Sequence, residues 1–420
     1  MANNVAKNVS TIVLKQFLMG FEDDTVLLNT VDKQRMSGAI NPSTGDSIQF
    51  KRPHQYSASR TSGGDQTGVS NNIISATATG TVSDFITVNI DWTLLEEAIE
   101  LNQLEEILAP ARAEMVTTYE NELANFMQLN AGLVSGDADE AIDAWGDVAS
   151  CGSYLKSLGA TGETYASMNP FSVQDLADAQ GGLSSGDSSL VTTAWKDAQI
   201  SRNFGGLRGI MCNSLESYTS GTATGAGTLN STPTVTYSAL KDTYQITVDL
   251  AGFTGTDTLV AGQQIQFDDT FMLNQQNKNT ISKRGSGIPF VGTVLEDATA
   301  AAGSFTGVKL SGAPIFDATN PQYNTVDRAI TSADAITVLG SAETVYQAGL
   351  FYTKGFVGTG TVELPKLAGW DSSVVNYKGY SIRATKYSDP ITNVQSCRFD
   401  MLPTFCVFNP MMGGQFFGNP

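Results

Sequence analysis

The chain has 420 residues, of which 41% are hydrophobic and only 16% charged, with 41 glycines. That apolar share supports packed cores and excludes wholesale disorder, and the length suggests two or three domains. A formal charge of −18 argues against gripping nucleic acid through its phosphates, which needs clustered Lys and Arg, and against adhesion to an anionic membrane.

The N-terminus, MANNVAKNVSTIVLKQFLMGF, carries an apolar stretch interrupted by Lys15, with no small-residue cleavage site after it. It reads as an amphipathic helical arm over residues 1–35, with Ser10 as N-cap. No uncharged apolar run reaches the roughly 18 residues that a membrane helix needs. Residues 36–90 are a long excursion crowded with Gly, Ser, Thr and Asn. They read as a β-ribbon, GDSIQF going out and DFITVNI coming back, with a loose tip between. An isolated two-stranded ribbon is marginal in water, so something else must hold it, and a second copy of the chain is the natural candidate. An acidic helix is expected within residues 91–134, with Thr93 and Glu96 as a capping box. Pro110 should end or kink it, which makes Pro110 a hinge candidate. Beyond it Met115, Tyr119, Leu123 and Phe126 recur at helical spacing.

Residues 135–220 alternate in character. AIDAWGDVASCGSYLKSLG reads as a helix, TYASM as a strand, SVQDLADAQGG as a helix capped by Ser172 and stopped by Gly181, SSLVTTAWKDAQI as a short helix, and GLRGIMCN as a buried strand. From about residue 221 the composition shifts, first to a link, SGTATGAGTLNSTPT, and then to an almost purely β segment ending near Gly340. TVTYSA, TYQITVDLA, QQIQFDD, PFVGTVLED, FTGVKLSG and AITVLG are six short strands, which suggests a compact antiparallel barrel or sandwich over 221–345. Longer strands return in LFYTKGFVGTGTVEL, YKGYSIRATKY, NVQSCRFDML and TFCVFNP. The simplest topology is an α+β chain whose α/β body is interrupted by an inserted β-domain.

Catalysis finds no anchor. His54 is the only histidine and lies in the polar excursion, which excludes multi-histidine metal sites and leaves a Ser/His/Asp triad without a rigid base. There is no P-loop, and Gly358 and Gly360 lack the third glycine of a dinucleotide fingerprint and read as a turn. Asp268 and Asp269 at a strand end read as local hydrogen-bond acceptors rather than calcium ligands. Four well-separated cysteines, Cys151, Cys212, Cys397 and Cys406, read as buried reduced thiols, and Trp92, Trp145, Trp195 and Trp370 as core. No catalytic residue, metal site or cofactor is assigned.

Charge is distributed more tellingly. Lys51, Arg52, His54 and Arg60 fall within ten residues with no acid among them, while Asp91, Glu96, Glu97, Glu100, Glu105 and Glu106 follow with no base. This complementarity suggests that the loop of one subunit lies along the acidic helix of its neighbour, fixing register and speeding encounter.

The order of these segments resembles that of the major capsid proteins of tailed phages, which share the Hong Kong 97-like, or Johnson, fold. The inserted β-domain is similar to that of the coat proteins of short-tailed Salmonella and Shigella phages. The likeness runs through STIVLKQFLMGF, STGDSIQFKRPHQYS, LEEAIELNQLEEILAPAR, NFGGLRG, NPQYN, LFYTKGF, LPKLAGW and RFDMLPTFCVFNPMMGGQFFGNP. It implies an N-terminal arm (1–35), an extended loop (36–90), a spine helix in a peripheral domain (91–134), an axial domain in two parts (135–220 and 346–393), an inserted barrel (221–345) and closing peripheral strands (394–420). It further implies pentamers and hexamers in an icosahedral shell, built with a scaffolding protein in the host cytoplasm. A portal admits double-stranded DNA and the shell expands, with no cofactor, membrane or enzymatic activity. Lys278, Lys283 and Arg284 become candidates for contact between capsomers. A tail or decoration protein, a bacterial nanocompartment shell and a glycan-binding or glycan-cleaving protein are the alternatives.

Overall fold

The computed structural model describes residues 25–33, 47–52, 54–58, 60–65, 71–82, 84–93, 104–136, 140–181, 200–347, 349–377, 380–389, 391–392 and 394–416. The expected arm around Ser10, the capping residue Glu96 and the short helix over 188–199 lie outside them. Two compact units emerge: Met1–Gln49 with Gly80–Leu123 and Gly358–Cys406, and Phe50–Thr79 with Ala124–Val357 and Val407–Pro420.

The first unit is organised around the long helix Leu104–Asn130 as far as Leu123. Met115, Val116, Tyr119 and Leu123 form its buried stripe. The Tyr119 ring lies 5.7 Å from Phe405 and edge-on to Tyr380, and its hydroxyl meets Thr359 Oγ1 at 2.5 Å. Burial pushes the Tyr119 phenol well above its ordinary range. The helix does not end at Pro110. An interior proline costs about 3 kcal/mol, and the apolar stripe that follows it offsets the loss. On the same helix Glu120 Oε1 accepts the backbone N–H groups of Val26, Leu27 and Leu28 at 2.6, 2.8 and 3.3 Å.

An antiparallel sheet runs Asp371–Tyr377, Tyr380–Asp389, Val394–Met401, Ile86–Thr93. Asp400 is fully buried in it, held by Arg383 at 2.7 Å, Arg398 at 2.6 Å and Thr87 Oγ1 at 2.8 Å. This sheet corrects two expectations. The DFITVNI strand pairs with Val394–Met401, not with GDSIQF, whose strand Ser47–Lys51 lies beside Thr77–Val82 in another sheet. Eight registered pairs give it what a solitary ribbon lacks. Asp91–Thr93 therefore continue the period-two pattern as strand instead of opening the helix. Gly358 and Gly360 are not a turn: they lie inside the buried strand Val357–Thr361, parallel to Asp32–Lys33.

The second unit contains a six-stranded sheet, ordered Leu133–Ser135, Gly413–Phe416, Gly349–Thr353, Thr164–Met168, Leu207–Met211, Asn203–Phe204. The helices Trp145–Ser157 and Pro170–Gly181 accompany it. The second helix starts earlier than expected: Asn169 Oδ1, not Ser172, accepts the Phe171 N–H at 3.0 Å, and Pro170 sits at the start, where its missing donor is harmless. Leu207–Met211 is only partly buried, with Met211 45% exposed. Trp145 is 63% exposed, at the first residue of its helix before the buried stripe Val148, Cys151 and Leu155 begins, and Trp370 in the first unit is 56% exposed; neither is core. The segment 346–393 is divided, since Gly349–Thr353 belongs to this sheet while Asp371–Tyr377 and Tyr380–Asp389 belong to the sheet of the first unit.

Within the same unit six strands close a barrel, in the order Gly225–Leu229, Gln245–Ala251, Ser304–Ser311, Pro289–Val294, Gln264–Phe271, Ala335–Val338. Every pairing is antiparallel. Alternate residues, among them Val248, Leu250, Ile265, Phe267, Phe290, Phe305 and Ile336, fill it. Two segments exchange expected roles. GAGTL, read as link, is a strand, and Gly227 has to be small because a Cβ there would meet the Phe253 ring at 2.7 Å. TVTYSA, read as a strand, carries instead the helical turn Tyr237–Leu240, whose Tyr237 and Leu240 pack into a separate cluster.

Candidate assembly surface

That separate cluster forms a ledge on the barrel segment. Tyr237, Leu240, Ala313, Ile315 and Tyr323 pack with Ala76, and the Tyr237 and Tyr323 rings stack at 3.8 Å, inclined by 4°. The polar loop leaves and returns here. On its outgoing limb Arg52 is 5% exposed: its guanidinium covers the Tyr244 ring at 3.9 Å and donates to the carbonyls of Phe408 and, at 3.2 Å, Asp242. Arg52 is thus not the outward-facing cation expected, because a planar fork over an aromatic face with carbonyl acceptors is a better place for guanidinium than for ammonium. On the returning limb the Asp242 carboxylate accepts the Thr77 N–H at 3.0 Å and the Thr77 hydroxyl at 3.2 Å, and pairs with Lys241 at 2.8 Å. Burial opposes its ionisation, but the Lys241 ammonium and the Thr77 amide outweigh this and hold the carboxyl below its ordinary range. Tyr323 Oη accepts from Ile74 N and donates to Asn72 O, each at 3.3 Å, and Asn72 Nδ2 donates to Asn320 Oδ1 at 3.0 Å.

Lys278, expected at a contact between capsomers, donates within the chain to Gln55 Oε1 at 3.0 Å and Asn324 O at 3.1 Å. Loss of hydration pulls its amine down to about 8. Farther out, Ser57 and Asn71 bind each other through three hydrogen bonds of 2.9–3.0 Å. Lys51, His54 and Arg60 are exposed, as is Tyr56. Of their expected partners, Glu96, Glu97 and Glu100 lie outside the described residues, and Glu105 and Glu106 fall in the first turn of the helix Leu104–Asn130. Lys283 and Arg284 stand exposed on a small hairpin, Ser282–Lys283 against Ser286–Gly287. Its two turn residues, Arg284 and Gly285, have φ of 54° and 89°, which is the type I′ arrangement that suits strand twist.

Among the described residues no group of three His, Cys, Asp or Glu side chains is placed to hold a metal ion, and no helix is long and apolar enough to cross a membrane. All four cysteines are free thiols, and burial pushes Cys151 up to about 12 and Cys397 to about 11. Asp268 accepts from Gln266 and Thr337, as a local acceptor does. Sequence reasoning missed Asp242, Tyr244, Tyr323 and Glu120, single acids and rings whose partners lie far off in sequence and which carry no spacing signal.

Residues 1–418 match the family described as P22 coat protein - gene protein 5. The chain belongs to the P22 coat protein family. It is 50% identical, over the whole of both chains, to the major capsid protein of Acyrthosiphon pisum secondary endosymbiont phage 1. Similar solved structures include a chain of Mycobacterium phage Che8, 9% identical with a TM-score of 0.42 over 89% of this chain and 85% of that one. Another is the capsid of the cyanophage P-SCSP1u, 12% identical with a TM-score of 0.40 over 93% and 86%. The family is one of structural capsid proteins of phages, not of enzymes, and the chain is accordingly a capsid-shell component. Membership sets aside the glycan, tail, decoration and nanocompartment alternatives.

Proposed function

We propose that the chain is the subunit of an icosahedral shell of Hong Kong 97-like fold, similar to those of short-tailed Salmonella and Shigella phages. It assembles as pentamers and hexamers with a scaffolding protein in the host cytoplasm, takes in double-stranded DNA through a portal, and expands. The match of residues 1–418 to a coat family supports this, and the observation that carries the mechanism is a cation-bearing loop whose base is fastened to its own chain. The exposed Lys51, His54 and Arg60 are then available to a neighbour's Glu96, Glu97, Glu100, Glu105 and Glu106, giving complementary charge at a repeated interface. Within the chain Arg52 and Lys278 are engaged at the loop base, and Lys283 and Arg284 stand exposed for the contact between capsomers. A net charge of −18 suits a container wall, because a wall that bound DNA tightly would impede packing and release. Pro110 supplies a missing hydrogen bond inside the long helix and is the proposed hinge of expansion.

Co-expression with the cognate scaffolding protein, followed by sedimentation and electron microscopy, tests the reading. Uniform closed shells are expected. A folded monomer that never assembles with or without scaffold would contradict it, and a Pro110→Ala shell that expands normally would remove the hinge.

A further inference from the structure

The loop's two limbs and the barrel ledge are joined from both sides. Arg52 enters under Phe408 and Asp242 and over Tyr244, and Gln55 takes the Lys278 ammonium that also holds Asn324. On the way back Asn72, Ile74 and Thr77 are bonded by Asn320, Tyr323 and Asp242. The ledge residues come from two stretches of the barrel segment, Tyr237–Tyr244 and Ala313–Thr325, and the Tyr237–Tyr323 stack ties these stretches to each other. Neither limb can shift without disturbing both stretches, because buried polar groups that lose one partner leave the other unsatisfied.

We propose that this ledge is a clasp that makes the loop base and the inserted barrel one mechanical piece, so that the barrel aims the loop at the neighbouring copy. Arg52 and Lys278 are its positioning residues. The aiming role rests on the shell reading, whereas the clasp itself is a property of the single chain. The barrel is well suited as a mount, since its closed hydrogen-bonded ring leaves no edge strand to yield.

Hydrogen exchange on the purified, unassembled full chain separates the two. In Arg52→Ala, peptides from 71–79, 237–244 and 313–325 should all exchange about tenfold faster, while a peptide from 380–389 stays at the wild-type rate. Arg52→Lys, which keeps the charge but loses the fork and the stacking, should fall between. If 71–79 loosens while 237–244 and 313–325 do not change, the loop merely rests on the ledge and the clasp is refuted. Should Arg52→Ala fail to fold, Lys278→Met, at the half-exposed rim, should give the same pattern at about threefold. With scaffold present, Arg52→Ala should yield open or irregular particles in place of closed shells; closed shells formed at the wild-type rate would refute the aiming role. A wild-type chain that forms no shells would sink the shell reading and leave the exchange result intact.

Discussion

The barrel and the loop base belong to the same compact unit but are held by opposite means. The barrel is filled by alternate apolar side chains from six strands, and each strand depends on its neighbours for both backbone bonds and packing. The loop base is held through Arg52, Lys278, Asp242 and the rings of Tyr237, Tyr244 and Tyr323, each in contact with a partner distant in sequence. Dispersed apolar contact tolerates change in any one residue only up to its volume; a polar clasp fails at single atoms. The first kind of region suits a rigid mount, and the second a joint whose geometry must be specified.

The contrast can be broken at its strongest point first. Phe267→Ala, which removes a fully buried ring beside Phe290, should destabilise the chain by about 3–5 kcal/mol in denaturant unfolding. Arg52→Ala should cost less, about 1–2 kcal/mol, since it removes charge-assisted bonds to carbonyls and a stacked ring. If the two losses are equal, the loop base is core by another name. Thr77→Val should cost about 1 kcal/mol, as the Asp242 carboxylate keeps the Thr77 amide and Lys241.

Lys278 gives a pH signature. Its amine titrates at about 8 when folded and at the ordinary lysine value when unfolded, so between these pH values the unfolded chain binds the extra proton. Stability attributable to Lys278 should therefore be lowest below pH 8 and rise as pH increases toward about 10. The check is the difference in unfolding free energy between wild type and Lys278→Met across that window; a difference that is flat, or that moves the other way, removes desolvation as the cause. Smallest of all, Lys51→Glu with Arg60→Glu should change stability by less than about 0.5 kcal/mol, since both side chains are exposed.

The same contrast explains what could be read from the sequence. Five of the barrel strands were legible as short apolar segments between Gly, Asp and Asn turns, such as the alternating QITVDLA and the continuous PFVGTV. The sixth, GAGTL, was hidden because the close approach of Phe253 to Gly227 makes a strand look like a link. The helix through Tyr119 and Leu123 was legible from its spacing, but its passage through Pro110 was not, because packing outweighed a local penalty. Ile86–Thr93 was recognisable as a strand while its partner was not, since pairing depends on residues three hundred positions away. In the loop the cluster of cations was visible, but its division into a buried Arg52 and exposed Lys51, His54 and Arg60 depends on where Tyr244 and Phe408 lie.

The measurement that tests the account most directly is assembly of the Lys51→Glu/Arg60→Glu chain with scaffold, followed by electron microscopy and sedimentation beside wild type. The account predicts a soluble subunit with wild-type unfolding behaviour and no closed shells, because the outward cations act only between copies. Closed shells in normal yield would contradict it, and would place the contact between subunits elsewhere on the molecule.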